Sequence, residues 1–157
     1  MAADLAKSIY ELSFRMRLLR AIQQEQSLAE DLSEREIIIL GLLKTRGGMA
    51  VSQIACAYPC VSESTISTTI TRLWREKLVS KTISPENQRT TIVDLTDKGR
   101  VAIELINMQR TERFKVLFEA IDVTGDEKQI MLKVLARAIK FFDKHLGLSE
   151  ESKGELL

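Results

Sequence analysis

The chain has 157 residues, of which 45% are hydrophobic and 29% are charged, and its formal net charge is +1. These values favour one globular domain and exclude a disordered or low-complexity chain. The charge neither requires nor excludes nucleic acid, so the positions of the basic residues decide that question. The longest apolar run, residues 37–43, is too short to cross a bilayer, and charged residues interrupt the N-terminus, unlike in a signal peptide. We therefore expect a cytoplasmic protein without membrane contact.

Two helices are predicted in the first 48 residues. The first has an apolar seam with alternating spacings of four and three residues, which is typical of a helix packed on another helix. The seam consists of Leu5, Ile9, Leu12, Met16 and Leu19. The second helix follows Ser33, which forms a capping-box pattern with Glu36, and it ends at Gly47 and Gly48.

The central part is predicted to be a helix-turn-helix followed by a β-hairpin. A short helix over residues 51–57 and a turn at Pro59 precede a longer helix, for which Ser62 is the expected N-cap. Two segments rich in β-branched residues, 78–84 and 89–95, flank a turn at 85–88. Together they form the wing of a winged helix-turn-helix.

Two long helices are predicted after the hairpin. Thr96 caps a helix from Asp97 to about Ile121. Thr124 opens a last helix that ends near Gly147, and residues 148–157 form a polar tail. The expected fold class is therefore mainly α with a small β-hairpin, in which a winged helix-turn-helix core is flanked by long N- and C-terminal helices.

The helix after the turn has an unusual polar face. Ile66, Ile70 and Leu73 form its inward stripe, and the opposite face is rich in hydroxyl and basic side chains. A solvated face normally uses Lys, Glu and Gln, which are better helix formers. Slim hydroxyl side chains suit a helix that enters a DNA major groove, where they contact phosphates, base edges and thymine methyls. Ordinary exposed polar residues are the alternative interpretation, and the hairpin that follows favours DNA.

The segment 64–99 resembles the recognition helix and wing of the MarR family of winged-helix regulators. The resemblance rests on Thr65-Ile66-Ser67, Arg72-Leu73, Leu78-Val79, Arg89 and Leu95-Thr96-Asp97-Lys98-Gly99, with Pro85 in the wing. The chain length and the flanking helices extend it over residues 5–146. Lys77 replaces the glycine with which the family's recognition helix ends. Asn87 replaces the wing aspartate, so that an ion pair with Arg89 becomes at best a neutral hydrogen bond.

The resemblance implies a homodimer on double-stranded DNA. A recognition helix would enter each major groove of a pseudo-palindrome, and wing arginines would reach the minor groove. It also implies transcriptional repression, which in many members is relieved by a small, commonly phenolic ligand or by oxidation. The residues that we assign to DNA contact on this hypothesis are Gln53, Ser62, Ser64, Thr65, Thr68, Thr71, Arg72, Arg75, Lys81, Gln88 and Arg89.

The terminal helices indicate a dimer independently of the resemblance. Residues 5–22 and 130–146 are too apolar to face water, and one winged-helix core cannot cover both segments. The assigned interface residues are Leu5, Ile9, Leu12, Leu135, Ile139 and Phe142. The single subunit would then comprise a DNA-binding lobe (33–99), a dimerisation region (3–29 and 100–147) and the polar tail.

Tyr10, Phe14 and Arg17 are candidates for a pocket that binds a small aromatic effector between the dimerisation region and the DNA-binding lobe, as the resemblance allows. Aromatic residues at helical spacing are more often part of a core, and that alternative stays open. Cys56 and Cys60 are expected to pack as small apolar residues and not to form a redox pair, because no Lys, Arg or His is close to them in sequence.

The sequence favours a protein that is not an enzyme. It has a single histidine, His145, and no nucleophile–base pattern, phosphate loop or metal-ligand spacing, so no cofactor is expected. The alternative to a DNA-binding regulator is a winged-helix protein-interaction module, which the low net charge, Asn87 and Glu63 allow. The two functions differ in salt dependence, because only DNA binding weakens steeply with salt.

Overall fold

The computed structural model describes residues 2–23 and 32–146, which contain six helices and a three-stranded sheet. In chain order the elements are α1 (Ala2–Gln23), α2 (Glu34–Arg46), β1 (Met49–Ala50), α3 (Val51–Ala57), α4 (Glu63–Arg75), β2 (Val79–Ile83), β3 (Thr91–Leu95), α5 (Asp97–Ala120) and α6 (Gly125–His145). The predicted mainly α fold with a hairpin wing is confirmed. The predicted helix end at Gly147 and the polar tail lie outside the described residues.

The chain divides into two compact units, Met1–Glu34 and Arg35–Leu157. The described part of the first unit is essentially α1. Leu5, Ile9 and Leu12 of the predicted seam are all exposed on this helix, whereas Met16 is half-buried. Within the described residues of this unit, no other element therefore packs over these three side chains of the seam.

The second unit packs one face of the helix-turn-helix and the start of α5 against the small sheet. Its fully buried apolar side chains are Ile39, Leu40, Leu43, Ile54, Ile66, Ile70, Leu73, Val79, Val93 and Ile103. The predicted inward stripe of α4 is thus confirmed. Burial of these side chains is the main favourable term that holds α4 in place.

The sheet has the strand order β1-β3-β2, and both pairs are antiparallel. The predicted hairpin is confirmed by the β2–β3 register, which runs from Val79 opposite Leu95 to Ile83 opposite Thr91. The strand β1 was not predicted, because two residues cannot show a period. It pairs with β3 through Met49 opposite Val93 and ties the start of the helix-turn-helix to the wing.

Side-chain caps fix where the helices begin. The Ser62 hydroxyl accepts a hydrogen bond from the Thr65 amide, and the Thr96 hydroxyl accepts one from the Gly99 amide. Both predicted N-caps are therefore present, and each satisfies an amide that the helix itself leaves unpaired.

The start of α6 carries the predicted capping box. The amide and hydroxyl of Thr124 donate to the Glu127 carboxylate at 2.9 and 2.7 Å, and the Glu127 amide donates back to the Thr124 hydroxyl. Because these hydrogen bonds favour the ionised form, the pKa of Glu127 is lowered.

Lys77 follows α4, the predicted recognition helix, and adopts a left-handed conformation with φ of 61°. The amide of Leu78 donates to the carbonyl of Leu73 at 2.9 Å, and the amide of Lys77 donates to that of Trp74 at 3.0 Å. These are the two bonds of a Schellman motif, which normally has glycine at the left-handed position. A lysine there costs about 1 kcal/mol relative to glycine, so the motif tolerates this departure from the family pattern.

The two long helices leave much apolar surface uncovered. α5 buries Ile103 and Ile106 in its first half, but Phe114 and Val116 in its second half are exposed. No residue of α6 is buried among the described residues. None of the described helices is long and apolar enough to cross a membrane.

Polar contacts connect the end of α2 to both long helices. The Arg46 guanidinium donates to the Leu146 carbonyl at the end of α6, with Nη2 and O 2.6 Å apart. Lys44 forms an ion pair of 3.3 Å with Glu104 of α5.

Candidate nucleic-acid interface

The outward face of α4 brings most of the predicted DNA-contacting residues together. Ser64, Thr68, Arg72 and Arg75 are exposed on it, and Thr65 and Thr71 are half-buried at its borders. The first two turns carry only short side chains on this face, so the helix is slim where a groove would receive it.

Three hydroxyl groups meet at the N-terminus of α4. The Ser62 oxygen lies 3.0 Å from the Ser64 hydroxyl oxygen and 2.8 Å from that of Thr65. Because helix N-termini carry partial positive charge and unpaired amides, they favour phosphate oxygens. The cluster thus combines a structural role, which is to cap the helix, with a position suited to a phosphate contact.

Three threonines of α4 bond to their own helix backbone. The hydroxyls of Thr68, Thr69 and Thr71 donate to the carbonyl oxygens of the residues four positions earlier, at 2.8–2.9 Å. Such bonds let a hydroxyl side chain occupy a helix without an unpaired donor, although they destabilise the helix slightly. In this conformation the hydroxyl protons are therefore not available to phosphates or base edges.

Arg72 lies between two carboxylates. Its Nε atom is 3.0 Å from an oxygen of Glu76 and 3.3 Å from one of Glu36, whose side chain is almost fully buried at 2% exposed. The sequence assigned Glu36 to the capping of α2 and Arg72 to the groove, and it gave no sign of this pair. The ion pair connects the recognition helix to α2, whereas a role of Arg72 at DNA stays a prediction.

We expect the Arg72→Ala variant to lose about 1–3 kcal/mol of unfolding free energy, because the buried Glu36 carboxylate would lose a cation. The expected change is below that for a fully buried pair because the Arg72 side chain is 53% exposed. Urea denaturation at fixed protein concentration measures the change. Arg75→Ala is the matched control, because Arg75 has no hydrogen bond or ion pair among the described residues, and it should change stability by less than about 0.5 kcal/mol. Equal losses in the two variants would contradict a role for the pair.

A lysine of the wing contacts the recognition helix. Lys81 of β2 donates to the Thr71 hydroxyl at 3.1 Å, and its ammonium lies 5.3 Å from the centre of the Trp74 ring. Trp74 is 50% exposed. Lys81, which the sequence assigned to a phosphate contact, therefore stabilises the packing of the wing against α4 when no DNA is bound. Part of this stabilisation is a cation–π interaction with Trp74.

Asn87 shapes the tip of the wing. Its side-chain oxygen accepts a hydrogen bond from the Arg89 amide at 3.0 Å, and its carbonyl accepts one from the Thr90 amide at 2.8 Å. The Asn87 side chain thus bonds to the backbone amide of Arg89 and not to its guanidinium, which an aspartate in the family pattern would pair with. Asparagine commonly forms such side-chain-to-backbone bonds in turns. Gln88 and Arg89 are exposed, and the Arg89 guanidinium has no ion pair among the described residues.

Gln53 caps the short helix α3. Its side-chain oxygen accepts a hydrogen bond from the Ala50 amide at 2.8 Å, which satisfies a donor at the helix start. Sequence reasoning missed this role. The predicted phosphate contact at Gln53 stays a prediction.

The other candidate residues are exposed. Tyr10, Phe14 and Arg17 are exposed on α1. Cys56 and Cys60 are free and exposed, so the expectation that they pack inside is wrong. The His145 ring lies beside Phe141 and hydrogen-bonds to its carbonyl at 2.9 Å. Within residues 2–23 and 32–146 no group of His, Cys, Asp or Glu is placed to hold a metal ion.

Comparison with known proteins identifies the winged-helix segment. Residues 32–91, which include the helix-turn-helix and most of the wing, match the sequence model of the MarR family. The resemblance to the MarR family is therefore confirmed for the winged-helix segment. Proteins of the MarR family are transcription regulators and not enzymes.

Several solved structures share the MarR fold with this chain. YusO from Bacillus subtilis is 23% identical with a TM-score of 0.65, and the match covers 88% of this chain and 97% of that one. FabT from Streptococcus pneumoniae, solved in complex with DNA, is 18% identical with a TM-score of 0.66 and coverage of 92% and 99%. BpsR from Bordetella bronchiseptica, described by its regulation through 6-hydroxynicotinic acid, is 20% identical with a TM-score of 0.55 and coverage of 83% and 98%. No curated protein sequence matches the chain.

Proposed function

We propose that this chain is a MarR-type regulator, a dimeric repressor that binds specific inverted repeats of double-stranded DNA at promoters. The observation that carries the proposal is the pairing of a slim outward face on α4 with two exposed arginines, Arg75 and Arg89, that have no ion pair among the described residues. A charged side chain held at a surface without a partner is well suited to a phosphate. The structural relative FabT, which was solved with DNA, supports this use of the fold.

The dimer in this proposal is supported by uncovered apolar surface. Leu135, Ile139 and Phe142 lie on one stripe of α6, and each is about half or more exposed. Leu5 and Ile9 of α1 are equally uncovered within their own unit. Monomeric proteins rarely expose apolar patches this extensive, and a symmetric partner subunit would cover them. A dimer would also present two recognition helices, as an inverted repeat requires.

Regulation by a small aromatic effector is part of the proposal. Tyr10, Phe14 and Arg17 follow helical spacing on one face of α1, and all three are exposed there. Aromatic rings with one guanidinium suit a planar, anionic ligand. The structural relative BpsR supports this proposal, because 6-hydroxynicotinic acid, which regulates its DNA binding, is a planar aromatic acid of the same class.

The first test is selection of random duplex DNA by the purified full-length chain. We expect an inverted repeat with half-sites about one helical turn apart. On the selected duplex, Arg75→Ala and Arg89→Ala should weaken binding. Each should also reduce the slope of log affinity against log salt by about one unit for every phosphate that the variant no longer neutralises. Lys133→Ala, which removes an exposed charge on α6, is the control and should leave both quantities unchanged.

The same experiment separates DNA binding from the alternative function. If no sequence is enriched and binding does not depend on salt, the chain is a protein-interaction module and the proposal is wrong. An enriched direct or single half-site would retain DNA binding but contradict the dimeric arrangement.

A further inference from the structure

The recognition helix lacks the side chains that usually read bases, which raises the question of what it reads instead. Residues 63–70 contain no Arg, Lys, Asn or Gln, and these are the residues that form bidentate hydrogen bonds with guanine and adenine. Arg72, one turn later, has its Nε atom held by Glu36 and Glu76. Apart from Glu63, the polar residues among 63–70 are all serines and threonines, so direct readout at the N-terminal half of α4 depends largely on them.

Most hydroxyl donors on this face are already used within the protein. Ser64 shares a hydrogen bond with Ser62 at 3.0 Å. Thr71 donates to the Ser67 carbonyl and also accepts from Lys81, so its proton and one of its two lone pairs are occupied. Thr68, which lies near the middle of the outward face, donates to the Ser64 carbonyl at 2.9 Å.

With its hydroxyl proton used, Thr68 retains for a ligand its methyl group and the lone pairs of its oxygen. A threonine Cβ carries one hydroxyl and one methyl, and the Thr68 hydroxyl is directed along the helix to the preceding turn. Thr68 is exposed, so its methyl is the apolar group that this side chain can offer to a ligand. In the major groove, an apolar side-chain group of this size distinguishes thymine from the other bases by contact with its C5 methyl.

We infer that Thr68 reads thymine through methyl–methyl contact, and that each operator half-site places a thymine against it. The inference rests on the proposed DNA-binding function and states the base class that the helix selects. It predicts operators in which thymine is enriched at one fixed position in both half-sites.

Two variants separate the methyl from the hydroxyl. Thr68→Ser keeps the hydroxyl and removes the methyl, whereas Thr68→Val keeps a methyl in its place and removes the hydroxyl. Both are tolerated at an exposed helix position, since Ser, Thr and Val have similar helix propensities. The duplex obtained by selection is used as the probe, with deoxyuridine substituted for thymidine at the enriched position. Deoxyuridine lacks only the C5 methyl.

Binding is measured by fluorescence anisotropy at fixed salt. We expect Thr68→Val to bind within about two-fold of the native chain, and Thr68→Ser to bind about four-fold more weakly per half-site, which is the size of one buried methyl group. Deoxyuridine should weaken the native chain by a similar factor and should have no further effect on Thr68→Ser. Native-like binding by Thr68→Ser with weaker binding by Thr68→Val would overturn the inference in favour of hydroxyl readout. Enrichment without any effect of deoxyuridine would overturn it and leave DNA binding intact, whereas absence of enrichment would refute both.

Discussion

Replacing Gly99 by alanine is expected to lower the free energy of unfolding by about 3–4 kcal/mol. A Cβ atom at this position would overlap the backbone carbonyl oxygen of Leu78 and would lie 3.3 Å from a methyl carbon of Leu95. Backbone atoms at the start of a strand cannot move aside as a flexible side chain can, so overpacking here is costly. The start of α5 would have to shift away from the end of the recognition helix.

The shift would also break a set of hydrogen bonds at this junction. The Thr96 amide donates to the Leu78 carbonyl at 3.1 Å, the Thr96 hydroxyl donates to the Lys77 carbonyl at 2.6 Å, and the Gly99 amide donates to the Thr96 hydroxyl at 3.0 Å. Loss of an N-cap alone costs about 1 kcal/mol. This geometry gives a physical reason for glycine at the end of the family motif Leu95–Gly99.

Urea denaturation of Gly99→Ala and Gly41→Ala provides the test. Gly41 lies inside α2 with no atom within 4 Å of an added Cβ, so alanine there should stabilise the chain by about 0.5–1 kcal/mol. Opposite signs of the two changes are expected. A decrease of less than about 1 kcal/mol in Gly99→Ala would show that the junction adjusts without strain, against the geometry seen here.

Local signals in the sequence were sufficient for most of the fold. Helix α3 covers the predicted residues 51–57, and the caps Ser62, Thr96 and Thr124 begin the helices as predicted. These features depend on neighbours within four residues, which a sequence displays directly. The strand β1 was missed because its pairing partner, β3, is more than forty residues away and its own two residues form no pattern.

The site was predicted less completely than the fold, for a related reason. A helical wheel gives the direction of Arg72 but not the carboxylate of Glu36, which reaches it from another helix. Periodicity also cannot show whether a hydroxyl bonds to its own backbone, as Thr68 and Thr71 do. Pairwise contacts between elements, and the state of each donor, require the three-dimensional arrangement.

Replacing Ile139 by aspartate is expected to convert the proposed dimer into a monomer. Ile139 is 59% exposed on the apolar stripe of α6, so the substitution removes no contact from the core of the isolated subunit. In a two-fold symmetric dimer the same residue occurs twice, and both carboxylates would be buried without a partner. Each costs several kcal/mol on association, which exceeds what a dimer of ordinary affinity can lose while remaining assembled at micromolar concentration.

Sedimentation equilibrium distinguishes the two states, because the dimer has twice the 17.8 kDa mass of the subunit. Lys133→Asp introduces the same carboxylate on the polar face of α6 and should leave the mass unchanged. Because a monomer engages one half-site at a time, Ile139→Asp should also bind the selected inverted repeat far more weakly, while its affinity for an isolated half-site stays the same. A dimer that persists in Ile139→Asp would place the subunit interface away from the α6 stripe. A native chain that sediments as a monomer would refute the dimer itself, and the exposed apolar faces of α1 and α6 would then require a different partner.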